Sequence, residues 1–552
     1  MAHTETPGPE TPHEATRRLD AIVIGAGLGG LRALHEFRSK GLSVAAFEAA
    51  PDLGGTWYWN RYPGARTDSE SWTYAYAFSQ ELQDEWDWPE RFATQADMYA
   101  YLCFAAEKHG WRDHIEFDTR VSAATFDETT NRWTITTQDG RQFSAQFLVT
   151  ALGLLSRPYI PAFAGINDFQ GDWFVTGRWP SEGADLAGKR VAVIGTGATG
   201  VQAVPLVAKV ADHVSVFQRT PNFVLPARNY TLTDFEREQI RRDYDEIWAM
   251  ARRHPLGYAF PRANRRRGDV TPEEHRQVLE AGWEAGGFRF LYETFDDITT
   301  DPEANAIASE FVREKIRAIV KDPATAELLC PKDHPLGSKR PPLGHFYYEA
   351  FNRENVEIVD VSREPISRIT PRGITVGNVE HEVDVIIFAT GFDAGSGSYD
   401  LIDIRGRGGQ ALREAWASGA RTHLGLMAHA FPNMFMISGP QSPFGNIPVV
   451  VEAAVTWIGR CVERMRASSI DAIEPRRSAV REWHERLTKF ANMTVLPQGT
   501  RSWMLGGNIP GKAPDVLFYF GGVGTYVKAC DAALENDLAD FHTGRVRDTA
   551  AV

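Results

Sequence analysis

A strand-glycine-helix pattern that occurs twice constrains this chain more than any other feature. In Asp20-Ala-Ile-Val-Ile-Gly25-Ala-Gly27-Leu-Gly-Gly30 an apolar run enters three glycines in GxGxxG spacing, and Leu31 to Lys40 continues with helical periodicity. A second apolar run, Leu42 to Phe47, ends at Glu48, 23 residues after Gly25. An acidic side chain at that distance accepts hydrogen bonds from a ribose, while the glycines admit a pyrophosphate to the helix N-terminus. The pattern returns in Arg190-Val-Ala-Val-Ile-Gly195-Thr-Gly197-Ala-Thr-Gly200, with a helix expected through Val210 and a strand over His213 to Phe217. Here the position 23 residues after the first glycine is Gln218, followed by Arg219 and Thr220. A neutral amide beside a guanidinium suits a 2'-phosphate. The first site therefore predicts FAD, and the second predicts NADPH in preference to NADH. A third near-match, Gly406-Arg-Gly408-Gly-Gln-Ala411, lacks a preceding buried strand and reads as a loop.

Two such units make the fold class α/β, with two Rossmann-like dinucleotide-binding domains, one for FAD and one for NADPH, and a helical insertion. The FAD domain is expected over residues 20–152 and 389–552, and the NADPH domain, inserted within it, over 156–225 and 333–388. Residues 229–330 are the helical insertion, with Glu236 to Arg253, Pro272 to Ala285 and Glu303 to Lys321 as its clearest helices. Residues 1–19, rich in Thr, Pro, Glu and His, read as a flexible tail and fail as a signal peptide.

Composition removes several alternatives. The balance of 59 basic and 72 acidic residues gives a formal charge of -13, which argues against a nucleic-acid binder. The basic run Arg262-Ala-Asn-Arg265-Arg-Arg267 is accordingly read as a solvated loop. No run approaches the roughly eighteen apolar residues of a membrane span. Cys103, Cys330, Cys461 and Cys530 lie too far apart for a metal site or a redox pair, which excludes dithiol flavin reductases and points to the cytoplasm. No metal is expected.

The segment after Glu48 reads Gly54-Gly55-Thr56-Trp57-Tyr58-Trp59-Asn60-Arg61-Tyr62-Pro63-Gly64-Ala65-Arg66-Thr67-Asp68, an aromatic-dense loop suited to cover a flavin. It resembles the Gly-Gly-x-Trp-x4-Tyr-Pro-Gly-x3-Asp signature of type I flavin-dependent Baeyer-Villiger monooxygenases, the family of cyclohexanone, phenylacetone and steroid monooxygenases. Further matches follow in order: Gln218-Arg-Thr-Pro221, Gly337-Ser-Lys339-Arg340, Tyr347-Tyr348-Glu349, Asp384 to Asp393, Phe431-Pro-Asn433, Gly439-Pro440, Ser502-Trp503 and Asn508-Ile-Pro-Gly511-Lys512.

The resemblance implies oxidation of a ketone by dioxygen with FAD and NADPH, giving an ester or lactone through a flavin peroxide. It implies Asp68 and Arg340 as the catalytic pair, with the permanent charge of Arg340 keeping the peroxide deprotonated and Asp68 orienting it. Gly25, Gly27, Gly30, Glu48, Gly55, Thr56, Trp57, Tyr62 and Asp68 are expected around FAD. Gly195, Gly197, Gly200, Arg219, Thr220, Lys339 and Trp503 are expected around NADPH. Phe444 and Leu343 are expected to touch substrate. No obligate protein partner, nucleic acid or membrane is implied.

The sequence departs from the family pattern at Phe169-Gln-Gly171-Asp-Trp-Phe-Val175-Thr-Gly-Arg-Trp179-Pro180, where Val175 stands at the position of a fingerprint histidine. Valine neither titrates nor hydrogen-bonds through its side chain, so altered domain coupling is expected there rather than a changed reaction class. Lesser departures are Thr67, where relatives often carry Cys, and Ala151-Leu-Gly153, where Ala-Thr-Gly is common. Two other readings compete: a monooxygenase making sulfoxides or N-oxides, and an NADPH oxidase uncoupled by the loss of that histidine.

Overall fold

A computed structural model describes residues 17–499, 502–512 and 514–545. Each glycine pattern follows a strand with parallel neighbours on both sides, the first in a mixed sheet and the second in a wholly parallel one. In the larger, eight-stranded sheet the order is Asp403–Arg405, Val121–Asp127, Arg132–Thr137, Gln142–Thr150, Arg17–Ile24, Val44–Phe47 and Ile115–Glu116, with Met434–Met436 also bonded to Gln142–Thr150. The five-stranded sheet runs Val356–Asp360, His213–Gln218, Arg190–Ile194, Val385–Phe388 and Asp172–Val175, all parallel. The chain thus leaves the first sheet after Thr150, builds the second, and returns to the first from Asp403 onward.

The strands facing the glycines are buried on both faces, as parallel strands covered by helices must be. Ala21, Ile22 and Val23 are fully buried in one sheet, and Val191, Ala192 and Val193 in the other. On the first sheet the helix Leu28–Ser39 packs against the long helix Ile447–Ala467. A side chain at Gly459 would meet the Glu36 carboxylate at 2.4 Å, so glycine permits the close approach. Arg32 joins the two helices by ion pairs to Glu36 at 2.8 Å and Glu452 at 2.9 Å.

Two boundaries and one added element differ from expectation. The first strand begins at Arg17, because Arg17, Arg18 and Leu19 pair with Phe143, Ser144 and Ala145. The expected tail therefore loses its last three residues to the sheet, and its residues 1–16 lie outside the described residues. The helix expected over Glu236 to Arg253 divides at Asp243 into Asp234–Arg242 and Tyr244–Arg253. Beside the second sheet lies an unforeseen antiparallel hairpin set, Ile366–Ile369, Gly373–Val376 and Val379–Glu382.

The insertion is helical, and Pro272–Ala285 starts with a capping box in which Thr271 and Glu274 satisfy each other's backbone donors. The basic run forms surface ion pairs, Arg262 with Asp296 and Arg267 with Glu303. Among the described residues no helix is long and apolar enough to cross a membrane, and no cluster of His, Cys, Asp and Glu is placed to hold a metal ion.

Candidate functional site

Both glycine turns open into one cavity of about 860 Å³. The turns repeat each other's stereochemistry. Gly25 has φ +104°, and a Cβ there would lie 2.5 Å from the Ala151 carbonyl oxygen; Gly195 has φ +114°, and a Cβ would lie 2.5 Å from that of Ala389. The third glycine of each motif seats its helix on its own turn: a Cβ on Gly30 would be 1.9 Å from the Gly25 oxygen, and one on Gly200 would be 2.1 Å from the Gly195 oxygen. The middle glycines differ. Gly197 faces open space, whereas Gly27 meets the backbone of Gly55, whose own Cβ would stand 2.9 Å from the Gly27 Cα.

Glu48 follows the strand Val44–Phe47 with its carboxylate buried. Its oxygens accept the N–H groups of Ala26 and Ala50, each at 2.8 Å. Burial pushes its pKa up, and those two N–H groups pull the other way. It therefore braces the first glycine turn while still lining the cavity. In the second unit the sequence count landed on Gln218, but that side chain is buried and donates to the Leu328 carbonyl at 2.7 Å, within the insertion. Arg219, Thr220 and Lys339 line the cavity instead.

Gly55 leads into the short helix Thr56–Trp59. Thr56, Trp57 and Tyr62 all line the cavity, and Trp57 packs edge-on against Tyr74 at 5.6 Å. The loop then delivers Asp68, only 8% exposed, against Arg340, whose Nη1 donates to Asp68 Oδ2 at 2.6 Å. The guanidinium lies over the Phe288 ring at 5.2 Å. Burial opposes its charge, but Asp68, together with Tyr258 and Tyr292, outweighs this and holds the Arg340 pKa above its ordinary value.

Two amides that sequence reasoning missed support this pair. Asn222 Nδ2 donates to the Arg340 carbonyl at 3.1 Å, and Gln202 lies behind Asp68. One signal was visible: Gln202 is a polar residue on the apolar face of the helix Ala198–Val210, between Val201 and Ala203. A third missed group, Asn446, precedes the helix Ile447–Ala467, lines the cavity and leaves a buried Oδ1 without a hydrogen-bond partner.

On the remaining wall Phe444, Phe518 and Trp503 pack together, with Trp503 edge-on to Phe518 at 5.3 Å and 6.3 Å from Phe444. The segment carrying Trp503 is tied to the end of the second sheet by Asn508, which donates to the Phe392 carbonyl at 2.8 Å, and by Lys512, paired with Asp393. Leu343 corrects the sequence expectation. It is fully buried, pairs with Leu225 and packs in the core under the second sheet, so it does not touch the cavity. Val175 does not line it either; it packs among Ile194, Phe388 and their neighbours and pairs with Phe388.

Comparisons with known proteins agree with this geometry. Residues 18–231 match the flavin-binding monooxygenase-like family. The chain is 43% identical over 535 residues to a Baeyer-Villiger monooxygenase of Pseudooceanicola batsensis, covering 96% of this chain and 97% of that protein. It is 43% identical over 525 residues to the phenazine N-monooxygenase PhzNO1 of Lysobacter antibioticus, covering 95% and 96%. The solved cyclohexanone monooxygenase from Rhodococcus sp. Phi1 bound to NADP+ superposes with a TM-score of 0.94 at 40% identity, over 96% of this chain and 100% of that one.

Proposed function

Because this chain belongs to the Baeyer-Villiger monooxygenases, within the flavin-binding monooxygenase-like family, we propose that it inserts one oxygen atom of dioxygen beside a ketone carbonyl and releases an ester or lactone. FAD and NADPH are its cofactors; bound, they supply the hydride transfer and the oxygen activation. The observation that carries the reading is the Arg340–Asp68 pair on a cavity entered by both glycine turns.

The residues fit both nucleotides. The crowded glycines leave room only for backbone at each turn, so each helix N-terminus can meet a pyrophosphate. Gly25, Gly27, Gly30 and Glu48, with Gly55 and Thr56 beside them, would hold FAD. Gly195, Gly197 and Gly200 would hold the NADPH diphosphate, with Arg219, Thr220 and Lys339 at its 2'-phosphate. Trp57 and Tyr62 would wall the flavin. Trp503, Phe444 and Phe518 would close the site and exclude water.

Arg340 presents a charge that cannot be neutralised near pH 7 to the place where negative charge develops on oxygen during attack on a carbonyl. Asp68 fixes the direction of that charge. Phe444, which lines the cavity beside Trp503 and Phe518, would touch the ketone. The domain division at residues 152, 156, 225, 333 and 389 belongs to the same proposal, as does a cytoplasmic location, which the four free thiols support.

The phenazine N-monooxygenase among the relatives keeps heteroatom oxygenation as the reading to exclude. The test measures NADPH consumed against hydrogen peroxide released, with ketones, thioethers and N-heterocycles offered in turn. Peroxide falling as ester or lactone appears supports the proposal. Sulfoxide or N-oxide without ester, or peroxide equal to NADPH throughout, rejects it.

A further inference from the structure

The pair at the centre of the site is held from behind by a residue of the other nucleotide unit. Gln202 lies on Ala198–Val210, the helix that follows the second glycine turn, and is 6% exposed. Its side chain turns toward the loop of the first unit. Gln202 Oε1 accepts the Tyr62 hydroxyl at 2.7 Å, and Nε2 donates to the Arg66 carbonyl at 3.2 Å. The same Nε2 stands 3.5 Å from Asp68 Oδ1, the oxygen opposite the one bonded to Arg340.

Backbone contact locks the two elements together as well. Gly64 has φ +86°, and a Cβ there would lie 2.2 Å from the Gln202 carbonyl oxygen. Loop Tyr62 to Asp68 therefore rests on this helix, with one amide spanning both ends of the loop. A buried amide that donates and accepts in fixed directions holds a carboxylate more firmly than either bond alone.

We propose that Gln202 is a positioning residue that ties the direction of Arg340 to the seating of the second nucleotide unit, acting through Asp68. The helix that would carry the NADPH diphosphate at its N-terminus thereby also sets the charge that the oxygenation step uses. Shifting that helix would release Asp68 and let Arg340 swing. This inference rests on the monooxygenase reading of the site, but its test is run with whichever substrate class the wild-type enzyme oxygenates.

The experiment compares wild type with Gln202→Leu, Gln202→Glu and Tyr62→Phe, each as the FAD-loaded enzyme. Two quantities are read: the rate of flavin bleaching by NADPH without oxygen, and oxygenated product per NADPH in air. Gln202→Leu is expected to lower product per NADPH by about tenfold or more, as small misplacements at reacting centres do, while slowing bleaching much less. Gln202→Glu keeps the length but loses the donor when ionised and sets a second carboxylate beside Asp68, which raises the introduced group's pKa. Its product yield should recover as pH is lowered toward about 6, where protonation restores a donor, and wild type should show no such rise. Tyr62→Phe should fall between.

Equal losses in bleaching and in product yield for Gln202→Leu, or a Gln202→Glu pH profile parallel to wild type, would overturn the inference. If Gln202→Leu fails to retain FAD, the pH profile of Gln202→Glu decides. A wild-type enzyme that makes sulfoxide rather than ester counts against the ketone assignment and leaves this comparison intact.

Discussion

Arg340 donates to Asp68 at 2.6 Å although 272 residues separate them in sequence. Asp68 comes from the loop over the first glycine turn, and Arg340 from the segment that re-enters the second unit after the helical insertion. Each side chain fixes the other: without the carboxylate the arginine would keep its ring contact with Phe288 but lose its ion-pair partner, and without the arginine the carboxylate would stand as a buried charge without that partner. Arg340→Ala is expected to leave flavin reduction by NADPH largely intact and to abolish ester formation. Arg340→Lys should not restore it, because an ammonium lacks the planar fork and the ring contact with Phe288. Stopped-flow reduction followed by product analysis checks both, and ester formed by Arg340→Ala would refute the role.

The two glycine turns separate the cofactors experimentally. Gly25→Ala places a Cβ 2.5 Å from Ala151 O at φ +104°, so the purified protein is expected to lose bound FAD and its yellow colour. Gly195→Ala makes the same clash with Ala389 O at φ +114° and is expected to keep FAD while raising the KM for NADPH. Backbone strain of about 1 to 3 kcal/mol corresponds to roughly 5- to 150-fold in affinity. Absorbance spectra and NADPH titrations distinguish the two variants.

Phe444 and Leu343 offer a contrast on either side of the cavity wall. Phe444→Ala opens the aromatic group with Trp503 and Phe518 and should shift kcat/KM toward bulkier ketones, at about 1 to 3 kcal/mol per methylene accommodated. Leu343→Ala should cost about 2 to 5 kcal/mol of stability and leave substrate ranking unchanged, since it empties core rather than pocket. Thermal melts and a ketone panel on both variants provide the check.

Acid should loosen the wall beside Arg340 before the fold as a whole is lost. His254 is buried, and its Nδ1 accepts the N–H of Leu256 at 3.1 Å and of Tyr258 at 3.4 Å, which requires that nitrogen to be unprotonated. Burial, with Arg262 nearby, lowers its pKa from 6.5 to about 4. A lowered imidazole pKa means the unfolded chain binds more protons in that interval, so the contribution is complete above about pH 6.5 and is lost as pH falls toward about 4. Tyr258 lines the cavity, and the Gly257 carbonyl accepts from Asn446, so activity should fall with stability over the same range. His254→Asn can keep an acceptor near the Nδ1 position without titrating there. It should flatten the pH dependence of Tm between pH 4 and 6.5, and a slope equal to wild type would contradict the assignment.

The glycine turns were legible in the sequence because their demand is local and steric: only glycine tolerates that φ and that proximity to a neighbouring carbonyl. Counting residues along a strand was less reliable, since it gives distance along the chain and not the face. Gln218 is the last residue of its strand and turns its amide onto the insertion, whereas Arg219, the first residue beyond the strand, lines the cavity. Leu343 failed for a related reason: three residues beyond Arg340, it enters a short strand whose pairing with Leu225 turns it into the core. The Asp68–Arg340 pair was reachable only through likeness to a family, because no spacing rule spans 272 residues. Gln202 and Asn222 stayed hidden as functional groups because an amide shows its purpose only once its partners are placed. Val175 packs in a cluster away from the cavity and pairs with Phe388, so the valine itself forms no part of the cavity wall.

The central claim is that both nucleotide sites feed one oxygenating centre at Arg340. Its most direct test is a single turnover under 18O2 with FAD-loaded enzyme, NADPH and a cyclic ketone, followed by mass spectrometry of the product. One 18O atom in the ring oxygen of a lactone, with the carbonyl oxygen unlabelled, is the predicted result. All of the label in hydrogen peroxide and water, with the ketone recovered unchanged across a panel of sizes, would contradict it.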